Sequence, residues 1–569
     1  MTGRERADVV VVGSGGAGLA AAVTAAAAGA RVTVLERAGL VGGTTAVSGG
    51  GIWVPGNDHM AEVGQTDTRD DALEYCLRLV DDRMPSALVT RFVDAAPAAV
   101  RFLETRTPLR LAPMTWPDYH PELPGARRAG RMLEPRPFET AALGPWADRV
   151  RRAPVLHLPI TLEEQTVEWQ LGYTPEKLDL DLVKQRAGGG VATVGRALVA
   201  ALLRGALDHG VTVTTGARAR ALSRDASGQV IGVTYETEGR TVHLDARAVV
   251  LASGGFEWAD DLKRSFLPGP LTHPTSPPGN EGDGLVMAME MGAALANMTE
   301  AWWYPATAVP GEQYDDRPLS RFVGTERTAP HCILVNRRGD RFVNEAANYN
   351  DMMKAFYQFE ANSYEWTNIP CWAVVDSQYR RRYAIASVRP GSPDPDWLVR
   401  SDDLAGLARR IGVDAGRLEQ TVSRFNGLAR AGRDLDFGRG DSYYDRFHGD
   451  PRAPHPNLGP IEEPPYYALA VHPGCVGTKG GPLTDAWARV LDVRGRVIPG
   501  LLAAGNVAAS PAGPAYFGGG CSIGVALTWG YLAGATAASG EETGGRFGGD
   551  ADVDAGAEAA PAAGRPPAR

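Results

Sequence analysis

A G-x-G-x-x-G, Gly13-Ser14-Gly15-Gly16-Ala17-Gly18, follows the β-branched run Asp8–Val12 and leads into the alanine-rich stretch Ala17–Ala28. A short valine run ended by glycine reads as a buried parallel strand, and the alanine stretch stopped by Gly29 reads as a helix. Arg31–Leu35 reads as a second strand, which completes a βαβ unit. Glycines at this spacing let main chain approach a pyrophosphate, whose charge sits against the N–H groups of the helix start. Glu36 stands at the end of the second strand, where a carboxylate hydrogen-bonds ribose hydroxyls. Strand, helix, spacing and acid agree on a dinucleotide-binding α/β fold.

Further runs favour FAD over NAD. Gly42-Gly43-Thr44-Thr45 with Ser48-Gly49-Gly50-Gly51 is a small-residue stretch on which a flavin ring can lie. Ala252-Ser253-Gly254-Gly255 follows the strand-like Ala248–Ala252, as a second pass beside the cofactor. Ala504-Gly505-Asn506 precedes a helix opened by Gly518–Gly520, whose positive end stabilises charge on a reduced flavin. Arg37, Ser522 and Ile523 join these as cofactor-binding candidates. The chain has one such fingerprint, so a second domain for a nicotinamide cofactor is not expected.

The 569 residues, 44% hydrophobic and 22% charged, exclude a disordered or fibrous protein. With 58 Lys+Arg against 67 Asp+Glu the chain is acidic, which argues against a nucleic-acid partner. The basic runs Arg127–Arg128–Arg131, Arg149–Arg151–Arg152 and Arg380–Arg381–Arg382 read as solvated surface. Five scattered cysteines without a CxxC pair give neither a disulfide framework nor a metal site. The amino terminus lacks the apolar core of a signal peptide, and no unbroken apolar stretch of about 18–20 residues stands out as a membrane span. A soluble, cytoplasmic protein is expected.

Val211–Thr214, Val230–Thr234 and Val242–Leu244 alternate like antiparallel strands. The proline-rich stretch from Pro108 to Pro175 reads as an irregular excursion, yet it carries Trp116, Tyr119, Trp146 and Trp169. The pattern-free, Gly/Ala/Asp/Pro-rich end reads as a disordered tail at 541–569.

The chain resembles the 3-ketosteroid Δ1-dehydrogenases, within the fumarate reductase/succinate dehydrogenase flavoprotein superfamily. The likeness is carried by GGTTAVSGGGIWVPGN, WPDYHPELPG, NEGDGLVMAMEMGAAL, EAWWYP, RFVNEAANY, TKGGPLTD and AAGNVAASPAGPAYFGGGCSIG. It implies an FAD-binding domain from both chain ends, 1–300 and 475–540, with an inserted α+β catalytic domain at 301–474. Membrane-complex members attach FAD through a histidine near the Gly-Gly-Thr region. No histidine precedes His59 here, which implies noncovalent FAD.

The resemblance assigns the chemistry to Tyr119 in PDYHPE, Tyr349 in NEAANY, and Tyr516 with Gly520 in YFGGG. It implies that Tyr516 and the Gly520 N–H bind a ketone oxygen. Tyr349 then takes the proton from carbon 2 while the flavin takes hydride from carbon 1, and Tyr119 lowers the pKa of Tyr349. Two donors on one oxygen form an oxyanion site worth roughly 3–4 kcal/mol per donor. Phe517 and Gly519 replace the prolines of the usual Tyr-Pro-Gly-Pro-Gly, which opens the regiochemistry. The implied activity is 1,2-desaturation of a 3-ketosteroid in lipid degradation, delivering electrons to a quinone or similar acceptor. Alternatives are another cyclic ketone, the 4,5 bond of a 5α-steroid, a fumarate reductase-like enzyme, and an electron-transfer subunit docked to an iron–sulfur partner.

Overall fold

The computed structural model describes residues 5–155 and 158–539, so the expected tail lies outside the described residues. Its central sheet draws strands from widely separated parts of the chain: β1 (Val9–Val12), β2 (Val32–Glu36), β3 (Thr212–Thr215), β4 (Ala248–Leu251), β5 (Arg489–Leu491) and β6 (Val497–Ala503). They lie in the order β5-β6-β4-β1-β2-β3, parallel throughout except at the edge strand β5.

β1 is buried on both faces, which is why it reads as unbroken valine. Val9 and Val11 enter the core under the helices, and Val10 and Val12 pack beneath a second, four-stranded sheet. That sheet contains two of the expected antiparallel strands, as Val230–Thr237 and Arg240–Asp245, beside Arg218–Arg224; the third, Val211–Thr214, is instead β3 of the central sheet and runs parallel to β2.

α1 (Gly16–Ala27) crosses from β1 to β2, and α2 (Cys521–Ser539) packs along it. Small residues permit the approach: a Cβ on Gly530 would stand 2.3 Å from the Ala17 carbonyl oxygen. α2 is long and apolar enough to span a bilayer by length and composition, which corrects the expectation that no stretch would qualify. Most of it is buried against α1 and the sheet, as a core helix.

Residues 301–478 form a further sheet ordered Arg317–Phe322, Ala301–Tyr314, Tyr466–Thr478, Cys371–Val375, Cys332–Val335. The proline-rich excursion is more regular than its composition suggests. Met132–Pro135 is the central strand of a three-stranded sheet, between Leu111–Pro113 and Ile52–Trp53, and the excursion folds back over the cavity described below.

The basic runs are not all solvated surface. Arg131, Arg151 and Arg380 are buried, while Arg128, Arg152 and Arg381 are exposed. Each buried guanidinium has a carboxylate: Arg131 meets Asp67 and Asp118 at 2.7 Å, Arg151 meets Asp315 at 2.5 Å, and Arg380 meets Asp394 at 2.9 Å. Partners distant in sequence decide which arginine of a run turns inward.

Candidate active site

β1 ends in the glycine loop at the point where its neighbours β2 and β4 leave on either side, the crevice position for ligands in such sheets. Gly13 has φ +108°, and a Cβ there would lie 2.4 Å from the Ala252 carbonyl oxygen, so only glycine lets the two strand ends meet. The N-cap residue Gly15 gives α1 no side-chain cap, and the Gly16 N–H donates to Thr45 Oγ1 at 3.0 Å. A cavity of about 1010 Å³ opens here.

Gly13, Ser14, Gly15, Gly16, Ala17, Glu36, Arg37, Gly43, Thr44, Thr45, Ser48, Gly49, Gly50, Ala252, Ser253, Gly254, Gly505, Asn506, Ser522 and Ile523 all line the cavity. Two candidates do not. Gly18 packs against the Gly13 carbonyl, and Gly42 faces Ala46 and Val199 while its N–H donates to Ser14 Oγ at 3.0 Å. Both shape the loop from behind.

Glu36 is fixed by Ser14 Oγ at 2.6 Å and by the Ala38 N–H at 2.9 Å. Arg37 turns to a carboxylate pair, donating to Glu281 at 2.9 Å and lying 3.5 Å from Asp283, which Arg218 also holds. The cradle fits FAD on its own terms. Ser253 lines the cavity and its buried hydroxyl has no partner, and a Cβ on Gly43 would meet nothing nearer than 4.0 Å.

Asn280 also belongs to this wall. Its Nδ2 donates to Thr44 Oγ1 at 3.0 Å and to the buried Glu257 at 2.6 Å. The NEGDG run was its only signal in the sequence.

At the inner end, three tyrosines from distant segments converge. Tyr119 Oη donates to Tyr349 Oη at 2.5 Å, with their rings 5.4 Å apart and near perpendicular. Tyr516 completes the group, its ring 5.7 Å from that of Tyr349 and 5.0 Å from that of Tyr119, with Gly520 and Ser522 beside it on the cavity wall. Gly520 has φ +84°, and a Cβ there would stand 2.3 Å from the Gly51 carbonyl carbon, so the N–H is aimed by a turn that needs glycine. Tyr516 and Gly520 thus stand together on the cavity wall.

Burial holds these phenols neutral. Tyr516 is pushed up to about 12, and Tyr119 and Tyr349 rise well above the usual phenol value. The Tyr119 hydroxyl acts on Tyr349 in the expected direction, downward, but burial outweighs it.

Phe517 points away from the cavity, into a cluster with Trp53, Phe92 and Tyr75. Asp118 bridges Gly518 as in an antiparallel pair, and the Tyr119 N–H donates to the Phe517 carbonyl at 3.1 Å. Extended backbone alternates its side chains, so Tyr516 faces the site and Phe517 the core. Gly519 does line the cavity, beside Met132 and Trp116.

Lys479 Nζ donates to the Ala515 carbonyl at 2.6 Å and lies 4.2 Å from the Trp302 ring centre, fixing the segment that carries Tyr516. Trp302 and Trp303 are core residues, and neither lines the cavity. Trp302 still touches the site, with its ring 4.8 Å from that of Tyr516. His273 stacks on His472 at 4.0 Å, away from the cavity. Cys521 is buried at the start of α2. Arg327, Tyr444 and His448 line the cavity, and no motif announced them.

The profile of the FAD binding domain family matches residues 8–523. The chain is 42% identical over 547 residues to a 4-oxocyclohexanecarboxylate 2-dehydrogenase of Sinomonas cyclohexanicum, covering 94% of each. It is 38% identical to a 3-oxosteroid 1-dehydrogenase of Mycolicibacterium smegmatis, covering 94% of this chain and 97% of that one. The crystal structure of a 3-ketosteroid Δ1-dehydrogenase from Sterolibacterium denitrificans, in complex with 1,4-androstadiene-3,17-dione, superposes with a TM-score of 0.87 at 35% identity. That match covers 94% of this chain and 100% of the other.

Proposed function

Because the chain belongs to the FAD-binding flavoprotein family of the 3-ketosteroid Δ1-dehydrogenases, we propose that it removes hydrogen from carbons 1 and 2 of a 3-ketosteroid ring. It is an FAD-dependent oxidoreductase acting on CH–CH groups. The observation that carries the reaction is the convergence of Tyr119, Tyr349 and Tyr516 on the cavity wall beside Gly520, with the Tyr119 hydroxyl donating to Tyr349 at 2.5 Å.

In this reading the ketone oxygen takes the place between Tyr516 Oη and the Gly520 N–H. Both donors strengthen as negative charge develops on that oxygen, which makes the neighbouring C–H acidic. Tyr349 receives the proton from carbon 2, with Tyr119 donating to its oxygen and stabilising the phenolate. Bound FAD supplies the acceptor for the hydride leaving carbon 1. Met132, Gly519 and the excursion from Pro108 to Pro175 cover the reacting ring and keep water from it.

FAD is held noncovalently, since Thr44 and Thr45 occupy the region where other members carry a histidine and His59 does not line the cavity. The FAD domain comprises 1–300 and 475–540, and the insert 301–474 supplies Tyr349 to the boundary between them. Electrons leave to a quinone or a similar acceptor, and the enzyme works in the cytoplasm. A second reading, the same desaturation of a smaller ring ketone, is favoured by the 42% identity to an enzyme of oxocyclohexane carboxylate.

Anaerobic addition of candidate ketones to the yellow protein, followed by product mass and NMR, tests the proposal. Bleaching with formation of a 1,2-ene beside the carbonyl is the expected result. A protein that no ring ketone bleaches would falsify it.

A further inference from the structure

Beyond Tyr119, three residues that line the cavity, Arg327, His448 and Trp116, each carry a buried side-chain nitrogen that makes no hydrogen bond: Nε, Nε2 and Nε1 respectively. Arg327 comes from the short helix Thr325–Thr328, His448 from the turn after Tyr443–Phe447, and Trp116 from the loop before Tyr119. The Trp116 and His448 rings are 4.9 Å apart. Tyr444 links them to the reacting centre, with its ring 4.4 Å from His448 and 5.2 Å from Tyr119. Native proteins leave few buried donors unpaired, and a ligand is one reason for a cluster of them.

Arg327 sets the charge of this group. It is 2% exposed, and no carboxylate lies within ion-pair distance of it among the described residues. Its Nη1 donates to the carbonyls of Glu345 and Ala347. The neighbouring acids are already engaged. Asp445 accepts from Asn344 Nδ2, the Gly440 N–H and Ser442 Oγ. Glu326 accepts from the Gly324 and Ala386 N–H groups.

A buried guanidinium without a counter-ion is costly to keep. The buried arginines of the basic runs, Arg131, Arg151 and Arg380, all have carboxylate partners. Burial holds His448 neutral, so its ring adds a directional polar contact and no second charge.

We propose that Arg327, His448 and Trp116 form a subsite for a carboxylate on the substrate, so that the preferred substrate is a ring ketone carrying an acid group away from its carbonyl. This rests on the desaturase reading above and narrows its substrate class. The acid belongs either to a single oxocyclohexane ring or to the side chain of a 3-oxosteroid, and ring size separates the two.

The test compares each acid with its own methyl ester on the purified holoenzyme. The pairs are 4-oxocyclohexanecarboxylate and a 3-oxosteroid with a side-chain carboxylate, followed by anaerobic flavin bleaching and kcat/KM. The acid is expected to exceed its ester at least 50-fold in one pair. Arg327→Gln should bring that ratio within about threefold, mainly by raising KM for the acid, and Arg327→Lys should restore part of it.

Should Arg327→Gln fail to fold, the wild-type ratio decides alone. Equal rates for acid and ester in both pairs overturn the carboxylate subsite and leave the desaturase reading standing. Failure of every ketone to bleach the flavin overturns both.

Discussion

Tyr119 Oη donates to Tyr349 Oη at 2.5 Å, although 230 positions separate the two residues in the chain. The bond joins a loop that covers the cavity to the inserted region. It favours the charged form of Tyr349 against the burial that opposes it. Replacing Tyr119 by Phe removes that support.

A base works deprotonated, and burial raises the pKa of Tyr349. Activity of the wild type should therefore rise with pH and reach no plateau below about pH 10. In Tyr119→Phe the rising limb should move further up, with about a tenfold loss at pH 8 for each unit moved. Rate profiles of kcat/KM for both proteins check this, and coincident limbs would remove Tyr119 from the proton relay.

Tyr516→Phe removes one of two donors to the ketone oxygen. A fall in kcat of about 100- to 1000-fold is expected, as for loss of one oxyanion donor. Flavin content should stay at the wild-type level, because Tyr516 packs among the rings of Tyr119, Tyr349 and Trp302. Rapid-reaction measurement of flavin reduction checks the first part and the absorbance ratio of the protein checks the second.

Phe517 is 1% exposed and packs on Trp53, Phe92 and Tyr75. Phe517→Ala should cost about 3–5 kcal/mol of stability, since the cavity it leaves cannot collapse among large rings. Denaturant unfolding gives the number. A change in substrate preference with no change in stability would mean that Phe517 faces the substrate after all.

Glu36 presents its carboxylate to the cavity while accepting from Ser14 and Ala38. Glu36→Gln should weaken FAD binding by roughly 10- to 100-fold, the worth of a charge-assisted hydrogen bond of about 1.5–3 kcal/mol. Fluorescence of FAD released on dilution measures it. Unaltered retention would show that this side chain takes no part in holding the cofactor.

Much of the cofactor half could be read from the chain, because its signals are local. The glycine loop, α1 and Glu36 lie within a few turns of one another, and their spacing alone states the geometry. Boundaries moved by one residue at β1, α1 and β2. The excursion from Pro108 to Pro175 was harder, because its short strand Met132–Pro135 pairs with Ile52–Trp53, far back in the chain, and has no period of its own.

Phe517 illustrates the limit at the site. Its position in YFGGG placed it beside a catalytic tyrosine, and only the pairing of Asp118 with Gly518 shows that it faces the other way. The inward turns of Arg131, Arg151 and Arg380 have the same origin, in carboxylates supplied by distant segments.

The amino-acid order by itself determined the phosphate loop, the α/β class and the residue types able to run the chemistry, because each follows from neighbours a few positions apart. The tertiary structure decided which phenol donates to which, where Arg327 and His448 stand, and how far burial lifts each pKa. Those depend on groups hundreds of residues apart being packed into one space with little water, and no short-range pattern records that.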